Sequence, residues 1–359
     1  MPTLLEPLTL RGLTAPHRIW LAPMCQYSCE AQDGVPTDWH LAHLGARAAG
    51  GFGLIVTEAA AVVPEGRISP QDVGLWNDDQ AAAWRRVVDV VHDQDVPIAV
   101  QLAHAGRKAA TWAPFAEEFG SVPQSDGGWV TVAPTDRAYE GLAAPRRMTT
   151  EEVRAVAGEF AAATRRAHDA GFDAVEIHAA HGYLLHQFLS PLVNDRDDEY
   201  GGAFENRTRV VLEVVDAVRA ALPEDKPVLI RFSATDWADG GWDVEQTTRL
   251  AALVVERGVD LVDVSSAGAV PEQRITVGPG YQVPFAAQVR ETVDVAVSAV
   301  GLITEPEQAA QIVESGDADV VMLARAALRE PSWPQRAAHE LGEPDAVRVP
   351  PQYLRGVWR

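Results

Sequence analysis

Along most of the chain, short apolar runs rich in Val, Ile and Leu alternate with longer segments in which apolar residues recur every three or four positions. The short runs fall at 18–24, 54–62, 97–104, 174–178, 228–233, 261–265, 295–300 and 319–324. Most are continuously apolar rather than alternating, the pattern of strands buried on both faces of a parallel sheet. Between them the helical period predicts helices, most plainly over 150–170. There Thr149, Thr150, Glu151 and Glu152 supply a cap and an acidic first turn, and Gly171 supplies a stop. Residues 206–222, 244–257 and 305–315 repeat the pattern, and Gly258 and Gly316 close the last two. Eight such alternations predict a single α/β domain, a (β/α)8 TIM barrel spanning 1–359. A doubly wound sheet is the alternative, but its Gly-x-Gly-x-x-Gly turn after an early strand does not occur.

One connection breaks the rhythm. Residues 105–148 are rich in Trp, Pro and Gly and lack helical periodicity. A connection this long in a compact domain is usually a lid or binding loop. Its position after the third strand places it as a capping insertion over the C-terminal mouth of the barrel.

Composition narrows the function. With 359 residues the chain buries a large core, so it needs neither disulfides nor a structural metal. The net charge of −21 argues against nucleic acid, whose phosphates need a basic surface. No apolar run approaches the roughly 20 residues of a membrane span. Residues 1–10 lack the basic-then-apolar layout of a signal peptide, so cytoplasmic residence is expected. Two cysteines, Cys25 and Cys29, exclude a disulfide framework and a four-cysteine iron–sulfur cluster.

Barrel active sites gather residues from the C-terminal ends of several strands. Those ends read Met24-Cys25, Glu58-Ala59, Gln101, His178 with His181, Arg231, Ser265-Ser266, Gly301 and Arg325. The ends of strands seven and eight suggest a phosphate site: Val300 and Gly301 would let backbone amides approach an anion, and Ala324 precedes the cationic Arg325. The spacing of His178 and His181 places both imidazoles on one side of a helical turn, with Tyr183 two residues on. Zinc would need a third ligand, and no metal motif supplies one. Two neutral imidazoles can instead donate to one carbonyl oxygen, while a nearby tyrosine delivers a proton to carbon. These are the tasks of reducing an α,β-unsaturated carbonyl.

Taken together these strings resemble the old yellow enzyme family, in particular its thermophilic-like branch, which contains xenobiotic reductase A. They are Ala22-Pro23-Met24-Cys25-Gln26-Tyr27, the run from Val100 through Gln101 to Lys108, and His178 through Tyr183. Leu192 to Gly202, Glu205-Asn206-Arg207 and Arg231-Phe232-Ser233 complete the set, so the resemblance covers essentially the whole chain. It implies non-covalent FMN lined by Pro23, Met24, Cys25, Ala59 and Gln101, with Arg231 facing the N1–C2=O edge. It also implies Cys25 as a thiol beside the flavin and Tyr27 as a substrate contact; Cys29 receives no role. The reaction implied is ping-pong: NADPH or NADH reduces the flavin, and N5 returns hydride to the β-carbon of an electron-poor alkene. His178 and His181 would hold the carbonyl, and Tyr183 would protonate the α-carbon.

The resemblance further implies that the tail, 345–359, crosses into a neighbouring subunit. Arg355 and Trp358 would there contact substrate in a homodimer or homotetramer. Two departures stand out: Ala324 where relatives often carry Gly, and Leu302 where xenobiotic reductase A carries Trp. The rival enzyme is a flavin-free aldolase or isomerase barrel using Glu58 or Glu176 as base, with Glu176 expected to point away from His178's neighbours.

Overall fold

The computed structural model describes residues 2–358. Eight parallel strands close into a barrel: β1 (Ile19–Leu21), β2 (Leu54–Ala61), β3 (Ile98–Ala103), β4 (Ala174–Ala179), β5 (Val228–Ser233), β6 (Leu261–Ser265), β7 (Ala296–Ala299) and β8 (Val320–Leu323). Each pairs with its sequence neighbours, and β8 closes on β1 through Val321↔Ile19 and Leu323↔Leu21. The expected (β/α)8 barrel is the observed fold.

The described residues form ten α-helices in chain order: α1 (Asp38–Ala49), α2 (Asp78–His92), α3 (Thr150–Ala170), α4 (Leu184–Leu189), α5 (Phe204–Ala221), α6 (Val244–Val255), α7 (Val283–Arg290), α8 (Pro306–Glu314), α9 (Arg325–Arg329) and α10 (Trp333–Glu340). The cap at α3 forms as its sequence predicts. Thr149 accepts from the Glu152 amide, Glu152 reaches back to the Thr149 amide, and Gly171 ends the helix at φ +96°.

Two main apolar cores result, with smaller clusters beside them. The larger lies between the sheet and the helices; the smaller fills the barrel with Trp20, Val56, Leu229, Leu261 and Met322. A two-stranded hairpin, Leu8–Leu10 with Leu13–Ala15, closes the N-terminal end and sends Leu10 and Ala15 into that inner core. Function is thereby left to the opposite end.

β1 is shorter than its apolar run. Beyond Leu21 the chain takes one more ladder bond, from the Ala22 amide to the Leu323 carbonyl at 3.0 Å, and then leaves the sheet at Pro23, which has no donor. Residues 105–148 form two single 3-10 turns and a two-residue ladder, Val132–Ala133 with Arg146–Arg147. They contact the mouth at several points: Trp129 donates to the Glu65 carbonyl at 2.9 Å, and Phe115 meets the Tyr27 ring edge-on at 6.1 Å. No helix of the described residues is long and apolar enough to cross a membrane.

Candidate active site

The end of β4 carries the densest chemistry. His178 belongs to the strand itself, and His181 follows on a tight turn at φ +59°. The pair is therefore not on a helical turn, which corrects the geometry expected from the spacing. A strand residue followed by a left-handed turn brings the rings together instead. Their centroids are 5.2 Å apart and nearly perpendicular, and the Tyr183 ring lies 5.1 Å from His178. His178 Nδ1 accepts from the Ala180 amide at 3.3 Å, so its hydrogen sits on Nε2. His181 Nε2 contacts Ser265 Oγ at 2.8 Å.

Burial and the nearby Arg231 guanidinium hold both imidazoles well below the usual histidine range, so both are neutral. Burial, with the Cys25 and Asp72 acids behind it, pushes the Tyr183 phenol well up. Burial, Asp72 and Glu58 do the same for the Cys25 thiol. Both keep their protons. Cys25, Tyr27 and Tyr183 pack in one small apolar cluster with Ile68, Ala105 and Ala109, which joins the end of β1 to the end of β4. Tyr27 reaches it at φ +52°. Cys29 is buried elsewhere and donates to the Val35 carbonyl at 3.2 Å.

The floor of the mouth is a polar chain inside the barrel. Gln101, paired with Ala59 in register, donates to Glu176 Oε2 at 2.6 Å. Arg231 Nε lies 2.8 Å from Asp263, which accepts from Ser298 at 2.6 Å. Glu176 thus shares the inward face with His178, two residues away, and points opposite to Ile177 and Ala179 on either side of His178; a strand's period of two requires this. Its burial and the neighbouring Asp263 raise it above the usual carboxylate range, which favours its protonated form. Arg231 is in a buried ion pair with Asp263 through Nε alone. Its terminal nitrogens make no hydrogen bond among the described residues and are free for a ligand at the mouth. Glu58 faces outward: it accepts from the Gln26 amide at 2.8 Å and lies 3.2 Å from His40 Nε2.

At the ends of β6, β7 and β8 a cavity of about 230 Å³ is lined by Val300, Gly301, Leu302, Ala324 and Arg325. Gly301 stands at φ +122°, where a Cβ would meet Gln282 Nε2 at 2.8 Å. Ala324 has φ −108°, outside the left-handed region that would favour Gly. Three contributors were missed from the sequence. Gln282 bridges Ser266 Oγ at 2.5 Å and the Val300 carbonyl at 2.9 Å, and nothing local marks it. Arg329 lies one helical turn beyond Arg325 and lines the same cavity, and that four-residue spacing is a legible signal. Lys108, quoted within a motif but given no task, donates to the His181 carbonyl at 2.8 Å. Arg325 and Arg329 are exposed and form no ion pair among the described residues. A concave site with free cations, a glycine at its wall and free Arg231 nitrogens fits an anionic, flat, polar-edged cofactor.

Arg355 and Trp358 are not brought to this mouth. The tail turns over Pro351–Gly356, and Trp358 stacks on His339 of α10 at 6.0 Å. Arg359 lies outside the described residues.

Comparison with known proteins agrees with this class of site. Residues 3–343 match the NADH:flavin oxidoreductase / NADH oxidase family. The chain is 48% identical to an NADH:flavin oxidoreductase of Gibberella zeae, over 94% of this chain and 85% of that one. It is 44% identical to an NADPH dehydrogenase of a Geobacillus strain, over 99% and 98%. Morphinone reductase, solved with tetrahydroNAD, superposes with a TM-score of 0.79 at 30% identity, covering 98% of this chain and 94% of that one. The fold and site define a flavin-dependent barrel oxidoreductase that uses FMN and NAD(P)H. The chain belongs to the NADH:flavin oxidoreductase / NADH oxidase family, the old yellow enzymes. The flavin-free aldolase or isomerase reading is thereby set aside.

Proposed function

We propose that the protein is an ene-reductase acting on small electron-poor alkenes, above all α,β-unsaturated carbonyls. The observation that carries this reading is the triad of rings at the end of β4: two neutral imidazoles 5.2 Å apart and a protonated phenol 5.1 Å from one of them. Pro23, Met24, Cys25, Ala59, Gln101 and Arg231 would hold the flavin ring, and Val300, Gly301, Ala324 and Arg325 its phosphate. When bound, FMN supplies the hydride, which it takes from NADPH or NADH.

The chain's own residues do the rest. His178 offers Nε2–H to the substrate carbonyl. Ser265, at the shorter of its two contacts, donates to His181 Nε2, which leaves His181 Nδ1–H as the second donor. Both donations strengthen as the oxygen gains charge, so they favour the transition state over the bound substrate. Because the rings are neutral, neither gives up its proton outright. Tyr183 holds the proton destined for the α-carbon, and Tyr27 closes the pocket from the β1 side. Arg355 and Trp358 would complete the substrate pocket of a neighbouring subunit, because within one chain neither reaches the mouth and Trp358 lies against α10.

The test is anaerobic stopped-flow absorbance on the two half-reactions separately. Tyr183→Phe should leave bleaching by NADPH intact and slow reoxidation by 2-cyclohexenone about 10²-fold. His178→Ala should cost a similar factor in the oxidative step. A yellow protein that NADPH bleaches and no enone reoxidises would sink the ene-reductase reading.

A further inference from the structure

His181 and Tyr183 leave the barrel on a turn whose backbone is held almost entirely by side chains. His181 and Gly182 stand at φ +59° and +72°, and a non-glycine residue keeps such a conformation only where its surroundings over-determine it. All four backbone polar groups of these two residues are taken. The His181 amide donates to Ser233 Oγ at 2.8 Å, and its carbonyl accepts from Lys108 Nζ at 2.8 Å. The Gly182 amide donates to His186 Nδ1 at 2.8 Å, and its carbonyl accepts from Gln187 Nε2 at 2.7 Å. His186 is itself fixed by Asp236 at 2.9 Å.

Lys108 differs from the other three. It comes from the segment after β3, whereas the others come from β5 and α4, so it ties the turn to a different part of the barrel. The same ammonium donates to the Gly268 carbonyl at 3.1 Å and lies 5.1 Å from the ring centroids of both Tyr183 and Tyr139. Two carbonyls and two aromatic faces surround one positive charge, and among the described residues no carboxylate pairs with it. A methyl group on Gly182 would fall 1.9 Å from the Gly268 carbonyl oxygen, so the two loops that Lys108 joins have no slack between them.

We infer that Lys108 is a positioning residue for enone reduction: its ammonium fixes the left-handed turn that aims His181 and Tyr183. The kinetic consequence rests on the ene-reductase reading. Charge matters because a donor that is ionised binds a carbonyl about twice as strongly as a neutral one. Burial, and then the adjacent Arg107 guanidinium, bring the Lys108 ammonium down to about 8. The groups facing it are Arg107 from its own turn, Tyr139 from the insertion, and His178, His181 and Tyr183 from the end of β4. None of them offsets the loss of its proton, so the clamp loosens as pH rises through that value.

The experiment uses the FMN-loaded wild type, Lys108→Arg and Lys108→Met. Two readouts are taken: hydrogen exchange of the amides of residues 181–183, and reoxidation by 2-cyclohexenone across pH. The wild-type rate is expected to fall above about pH 8. Lys108→Arg, whose guanidinium does not titrate there, should carry the rate to higher pH. Lys108→Met should reoxidise about tenfold more slowly at neutral pH, show no break near 8, and exchange faster at 181–183. Unchanged exchange and rate in Lys108→Met, or the wild-type alkaline break persisting in Lys108→Arg, would overturn the assignment. Faster exchange in Lys108→Met with no enone reduction by any form would keep the clamp and retire the ene-reductase reading. If Lys108→Met does not fold, the pH profiles of wild type and Lys108→Arg decide alone.

Discussion

At the level of single residues the mouth divides into groups that strand ends reveal and groups they do not. Gln101, His178, Arg231 and Arg325 sit at such ends, where a barrel presents its chemistry. Lys108 and Gln282 sit on a turn and a loop, where periodicity gives no direction to a side chain, whereas Arg329 is marked only by its helical spacing from Arg325. The cavity at β7 and β8 makes Arg329 the informative case. Two exposed arginines four residues apart, with no acid paired to either among the described residues, would repel each other unless an anion lies between them. If that anion is the FMN phosphate, each arginine makes a charge-assisted contact worth about 1.5–3 kcal/mol. Arg325→Gln and Arg329→Gln should then each weaken FMN binding to apoprotein by roughly tenfold to a hundredfold. Each should also flatten its dependence on salt. Flavin-fluorescence titration at two ionic strengths reads both effects. Unchanged affinity in both variants would place the phosphate elsewhere.

At the level of elements, legibility followed local signals. α3 runs over the predicted residues because its cap and its stop are both encoded within a turn of its ends. β5 and β6 match their apolar runs because nothing but burial bounds them. β1 is cut short by a cause that hydropathy does not see: Pro23 ends the ladder, Met24 beyond it packs on the outer core, and Cys25 joins Tyr27 and Tyr183. The turn after β4 misled for a related reason. A three-residue spacing of histidines suits a helix, but Gly182 permits a left-handed turn that the flanking side chains enforce.

The tail is the element that the single chain explains least. Tyr353, Leu354, Val357 and Trp358 are 56%, 58%, 38% and 44% exposed, four large apolar side chains within six residues. Such a run on a terminus suits burial in an assembly. Deleting 350–359 should therefore convert an oligomer to monomers in sedimentation velocity. It should also lower enone turnover while leaving the yellow colour of bound FMN. A truncated chain that keeps the assembly of the full one would refute tail exchange.

Across the whole molecule, the buried titratable groups predict where the fold is most stable. Burial lowers His17, His43 and His104 to about 4 and holds His178 and His181 well below their usual value. Below pH 6.5 the unfolded chain protonates these five while the native state does not, so stability is lost as pH falls through that range. Each contributes a slope of about 1.4 kcal/mol per pH unit. Burial acts oppositely on Asp72, raised to about 8, on Glu159, raised to about 7, and on Glu176, Asp263 and Glu213, all raised. These hold protons that the unfolded chain has already released, so their contribution falls as pH rises from the ordinary carboxylate range through those values. From about pH 4.5 to 6.5 five histidines and five acids act with opposite sign, so their slopes largely offset. From 6.5 to 8 the histidines no longer contribute a slope, and the acids pull stability down. His92, raised by Asp173, adds to that decline. The urea midpoint should therefore change little between pH 5 and 6.5 and fall from 6.5 to 8. Asp72→Asn tests the cause, because Asp72 accepts from the Ile68 and Ser69 amides at 2.7 and 3.3 Å and an amide oxygen can do the same. Its midpoint should fall less between pH 6.5 and 8 than that of the wild type. A midpoint still rising at pH 8 would show that the buried acids are ionised in the native state, and with them the polar floor beneath the flavin site.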